Sequence, residues 1–185
     1  VKVPSTTKPC DYKVYHKNEV VAEDPYAFSP TFGEVDAHLF SKGVHYKLYE
    51  VLGARVCRHE GTVGVKFAVW APSARSVSLI GDFNHWDDRV TPMRSMGSSG
   101  VWELFVPGLS SEEKYKFSIT TKEGWKKVKT DPFGLYSELR PNNSSVVFDI
   151  DGYEWKDQKW MEEREEKDPM LQMNIYEVHL ASWKG

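Results

Sequence analysis

A chain of 185 residues with 40% hydrophobic and 28% charged side chains has room for one ordinary globular domain and a smaller appendage. Its formal net charge of −3 argues against a nucleic-acid partner, because phosphate binding needs a basic face. No apolar run approaches the roughly 18 residues that a membrane span needs, so no membrane partner is expected.

Residues 1–23 carry Lys, Pro, Thr and Asp without apolar periodicity and read as an irregular leader. Residues 24–55 read as a short helical segment. There Thr31-Phe32-Gly33-Glu34 has the form of a capping box, and Val35 and Leu39 share a face, so a helix is expected to run to Ser41 and end at Gly43. A second helix is expected over His45 to Leu52, closed by Gly53. Helices this short do not stand alone and must pack on something else.

From Val56 the period changes to two. Val65, Phe67 and Val69 alternate with polar or small neighbours, as do Val77 and Leu79, then Trp102 and Leu104, then Tyr115, Phe117 and Ile119, with Val146 to Phe148 last. Gly, Pro, Asn and Ser turns separate these runs, which predicts an antiparallel, immunoglobulin-like β-sandwich over 56–150 and a mainly β protein. Trp70 and Trp102 are expected in its core. Beyond it, 151–185 reads as a charged linker helix over 155–167 and a buried strand over Met173 to Leu180.

The six His show no metal-ligand spacing, Cys10 and Cys57 lie too far apart for a zinc knuckle, and no phosphate loop or nucleophile elbow is present. With no secretory signal, the two thiols are expected free and the chain cytoplasmic. No catalytic residue, metal or cofactor is predicted. Binding is better supported. Trp86 stands just past a turn built on Gly81, Asp82 and Asn84, and Trp125 follows Gly124 in what reads as a lysine-rich loop. A flat indole beside amide, carboxylate and amine groups suits a sugar, whose C–H groups meet the ring while its hydroxyls meet the polar rim.

Several motifs taken together carry a resemblance. Gly64-Val65-Lys66-Phe67-Ala68-Val69-Trp70-Ala71-Pro72, Gly81-Asp82-Phe83-Asn84-His85-Trp86, Tyr115-Lys116-Phe117 and Asp131-Pro132-Phe133 resemble the family-forty-eight carbohydrate-binding module. Asp24 to Phe28 and His45 to Ala54 resemble the segment preceding that module in bacterial-type glycogen branching enzymes. Ile175 to Trp183 resembles the first strand of their catalytic barrel, here an orphan strand. The resemblance implies a sugar platform of Trp86, Lys116 and Trp125, joined by Asn142 or Asn143, with Asn143 taken as the site residue. It implies an α-1,4-glucan partner such as glycogen or a maltooligosaccharide, and a catalytic barrel as the second partner. It also implies a parent enzyme that cleaves α-1,4 links with two carboxyl groups and transfers the chain to a 6-hydroxyl. Two rival expectations are a structural buttress without a sugar site and a regulatory glycogen-targeting subunit.

Overall fold

The computed structural model describes residues 14–15, 21–166, 172 and 174–183. They fall into two compact units, Val1–Asp149 and Ile150–Gly185. In the first, β1 (Val14–Tyr15) and β2 (Val21–Ala22) pair antiparallel inside the stretch expected to be irregular. The rest of that leader through residue 20 lies outside the described residues.

Helix α1 (Glu34–Ser41) begins later than its sequence signal. Gly33 is the N-cap, with its N–H donating to Asp36 Oδ2 at 3.3 Å. Thr31 is taken elsewhere: its N–H and Oγ1 both donate at 3.0 Å to Oε2 of Glu103, whose side chain is 0% exposed. A buried carboxylate loses far more when left unpartnered than an exposed helix end does. The C-terminus is as expected. Gly43, at φ +68°, lets Val44 N–H reach Leu39 O at 3.1 Å and its own N–H reach Phe40 O at 3.0 Å. Helix α2 (Leu48–Val51) is a single turn, shorter than 45–52, and the His45 ring bonds Asp36 Oδ1 at 2.8 Å instead of joining it.

Nine strands follow: β3 (Gly53–His59), β4 (Thr62–Trp70), β5 (Ala74–Gly81), β6 (Arg94–Ser95), β7 (Val101–Pro107), β8 (Lys114–Thr121), β9 (Lys126–Lys129), β10 (Tyr136–Ser137) and β11 (Ser145–Val146). They form two antiparallel sheets, one in the order β3-β4-β7-β6 and one in the order β10-β11-β8-β5, with β9 also on β8. Val65, Phe67 and Val69 from the first sheet meet Val77, Leu79, Tyr115 and Phe117 from the second in one buried cluster. The alternation read from sequence is therefore the inner face of a sandwich.

The outer face of the first sheet is covered too. Ala68 and Val101 bury against Phe32 and Leu52, and Phe105 buries against Ala27 and Phe28. Residues 24–52 thus form a second layer on β4 and β7. Trp70 corrects an expectation: pleat alternation places it on this outer face with Ala68, and it is 55% exposed. The edge of Phe40, 6.1 Å away, and a bond to Ser99 O hold it. Trp102 points inward, half-buried against the main cluster, with its N–H on Ala71 O at 3.1 Å.

In the second unit α3 (Gln158–Glu163) is shorter than 155–167. Residues 174–179 form no strand among the described residues, and Ile175, Tyr176, Val178 and Leu180 are exposed, so the expected buried strand is not seen. A strand needs a neighbour for its backbone groups, and none of the described residues supplies one.

Candidate functional site

The loop after β5 is held by one buried side chain. Asn84 accepts from Gly81 N–H at 2.9 Å through Oδ1, and its Nδ2 donates to Leu79 O at 2.9 Å and Thr91 Oγ1 at 2.6 Å. Gly81 is required by close approach, since a Cβ there would press on the Lys114 carbonyl oxygen and lie 2.5 Å from Phe83 Cε1. The chain then passes through two non-glycine residues with left-handed backbone, His85 at φ 56° and Trp86 at φ 60°. Such conformations persist only where surrounding bonds impose them. Here the bonds are Trp86 N–H to Gly81 O at 2.9 Å and Trp86 Nε1–H to Asp82 Oδ1 at 2.8 Å. The indole is fixed at its polar edge and 37% exposed. Asn84 and Asp82 therefore build the turn, as the sequence reading had it, and both are engaged within the loop.

Asp88 fastens this loop to the outer face of the second sheet. Its Oδ2 accepts from Ser118 Oγ at 3.0 Å and from Lys126 Nζ at 2.7 Å. Along β8, Tyr115, Phe117 and Ile119 face the core, so Lys116, Ser118 and Thr120 face outward. Lys116 Nζ donates to Asn143 Oδ1 at 2.5 Å, across 27 residues of chain. Lys116, Asn143 and the Trp86 loop thus share one face. An ammonium has three protons to donate, so the bond to Asn143 leaves Lys116 able to bond a ligand.

A polar pair beside a rigid, partly bare indole, on the outer face of a β-sandwich, is a geometry suited to a carbohydrate. Residues 51–134 match the family of carbohydrate-binding module 48, the isoamylase N-terminal domain, from the end of α2 to the turn after β9. Residues 51–134 are a module of that family. It is 61% identical over 183 residues, 98% of its length, to 1,4-alpha-glucan branching enzyme GlgB of Protochlamydia amoebophila, of which it covers 25%. It is 50% identical over 182 residues to the GlgB of Chlamydia caviae, covering 98% of this chain and 25% of that one. To the GlgB of Thermosynechococcus vestitus it is 51% identical over 174 residues, covering 92% and 23%. The chain spans about a quarter of the length of these curated relatives.

In this module 48 domain Trp125 comes from a different loop than Trp86 and Asn143. It closes a β8–β9 hairpin whose turn needs Gly124 at φ +89°, and it is 71% exposed. Lys126 and Val128 lie opposite Thr120 and Ser118, on the face that carries Lys116. Trp125, bonded to Thr121 through both its N–H and its carbonyl, lies in the turn just before β9. Among the described residues no hydrogen bond joins it to Trp86, Lys116 or Asn143. The stretch read as a lysine-rich loop is in fact β9, an exposed edge strand guarded by lysines. Sequence reasoning missed Ser118, Asp88 and Val128. Continuing the alternation from Lys116 would have found Ser118, whereas Asp88 had no signal beyond its position two residues after Trp86.

The Asp88 bridge gives the module a direction of pH response. Its hydrogen bonds with Lys126 first, then Ser118, hold the carboxyl below the usual range despite some desolvation. A carboxyl depressed in this way keeps its partners above its ordinary value of about 4 and loses them as pH falls through the lower folded value. Ligand affinity is therefore expected to be flat near neutrality and to drop below about pH 4. Calorimetric titration at a series of pH values checks this. Asp88→Asn is expected to bind more weakly at pH 7 and to lack the acid step.

Proposed function

We propose that the module binds an α-1,4-glucan, such as glycogen or a maltooligosaccharide, on the outer face of its second sheet. Trp86 offers the apolar ring, Lys116 and Asn143 take hydroxyls, and Trp125 contributes less from the hairpin tip. In a full-length branching enzyme of the cytoplasm, the module holds polymer for a catalytic barrel. The barrel would cleave α-1,4 links and pass the chain to a 6-hydroxyl; no catalytic residue is assigned to these 185 residues.

The observation that carries this reading is the Lys116–Asn143 pair at 2.5 Å, on the face to which Asp88 ties the Trp86 loop. A stacked ring contributes about 0.5–1.5 kcal/mol, so a single site is weak, and a branched polymer strengthens it by engaging many modules at once. Electrophoresis through gels containing glycogen tests it. The unaltered chain is expected to be retarded, and the double variant Trp86→Ala/Lys116→Ala to run as in a glycogen-free gel. Equal retardation of the two would refute the site.

A further inference from the structure

We propose that a cleft beside Lys116 is a second sugar subsite, which takes a further glucose residue of the same glucan chain; this rests on the reading above. The second sheet forks there. Tyr115 of β8 pairs with Ser145 of β11, Phe117 of β8 pairs with Lys129 of β9, and Lys116 lies between the two pairings. Where β9 leaves β8 the sheet edge opens into a cavity of about 320 Å³. Thr130, Tyr136, Ser137, Arg140, Asn142 and Asn143 line it. Asn143 also accepts the Lys116 bond, so the cleft and the Lys116–Asn143 pair share a residue.

The chemistry of the walls selects a neutral polyol. Hydroxyls and amides dominate, and the charged members of the wall, Asp131, Glu138 and Arg140, include both signs. Glu138 is committed to Lys114 Nζ at 3.0 Å and Ser144 N–H at 3.1 Å, and Asp131 to Tyr115 OH, which leaves hydroxyls, amides and the Arg140 guanidinium to meet the hydroxyls of a ligand. Tyr136, 52% exposed, supplies an aromatic wall and is steadied by Phe148, stacked at 5.4 Å. The floor is rigid: Asp131 N–H donates to Ser145 Oγ at 2.9 Å, and Tyr115 OH donates to Asp131 Oδ2 at 2.6 Å. The volume lies at the small end of ligand pockets, which run from about 300 Å³ upward, and suits one sugar ring better than an oligomer.

Calorimetric titration of the chain with maltotriose and with maltoheptaose tests the cleft. Tyr136→Ala and Asn142→Ala are each expected to weaken maltoheptaose about three- to tenfold, the loss of one or two hydrogen bonds or a ring contact, and to leave maltotriose unchanged. Trp86→Ala is expected to weaken both sugars. Cleft variants that bind maltoheptaose like the unaltered chain overturn the subsite, and so does an equal loss for both sugars. Cleft variants that weaken maltoheptaose while Trp86→Ala weakens neither sugar would sink the Trp86 platform and leave the cleft standing. No binding of either sugar by the unaltered chain overturns both. If Tyr136→Ala lowers the melting temperature, the exposed loop variant Asn142→Ala decides.

Discussion

Replacing Asn84 by Ala is expected to destabilise the module by about 2–3 kcal/mol, because buried partners are left without their hydrogen bonds. Gly81 N–H loses its acceptor, and Leu79 O and Thr91 Oγ1 lose a donor, in a site the side chain fills at 6% exposure. The functional loss is expected to be larger than the stability loss. His85 and Trp86 hold left-handed backbone that costs each about 1–2 kcal/mol relative to ordinary conformations. Once Asn84 no longer closes the turn, the relaxed loop turns the indole away from Lys116, and glycogen retention disappears in protein that is still folded. Asn84→Asp keeps an acceptor for Gly81 and cannot donate to Leu79 O, so an intermediate loss is expected. Urea denaturation beside the glycogen gels reads both quantities. A stability loss with full retention would show that Asn84 does not position the ring.

Tyr115→Phe is expected to give the second large effect, with a pH dependence that identifies its cause. Tyr115 is fully buried and donates to Asp131 Oδ2 at 2.6 Å. Burial pushes the Tyr115 hydroxyl up, and the neighbouring Asp131 charge pushes it further. Burial also raises Asp131, although the bonds from Tyr115 and from Phe133 N–H pull it back down. A raised carboxyl means the folded form holds its proton more tightly. Its effect on stability is absent below the unfolded value of about 4, and stability falls as pH rises through the folded value. Removing the Tyr115 donor raises Asp131 further. The variant is therefore expected to lose little near pH 4 and about 1–3 kcal/mol near neutrality, where an under-bonded carboxylate must stay buried. Denaturation at pH 4, 6 and 8 checks this, and a loss independent of pH would contradict it.

Period-two patterning revealed the inner faces because it depends only on neighbouring residues: Val65, Phe67 and Val69 point inward whatever the loops do. It could not reveal the outer faces. Trp70 sits on one, and its exposure depends on how far α1 reaches across β4. Thr31 reads as a helix cap until Glu103, 72 residues later, arrives beneath it and takes both its donors. Residues 174–180 are apolar enough for a strand, but apolar sequence makes a strand only beside a partner. The site divides in the same way. Trp86 is legible from turn chemistry, and Lys116 enters through the resemblance carried by Tyr115-Lys116-Phe117. The roles of Asn84, Asp82 and Asp88 depend on what folds against them, as does the cleft, which exists only because β8 changes partners at Lys116.

Glucan stacking on Trp86 is tested most directly by following the indole N–H resonances of the nitrogen-labelled chain during titration with maltoheptaose, assigned with Trp86→Phe. The Trp86 resonance, fixed on Asp82, is predicted to shift and saturate, while those of Trp70 and Trp102, which donate to Ser99 O and Ala71 O, stay in place. Saturable binding that leaves the Trp86 resonance unmoved would contradict the account.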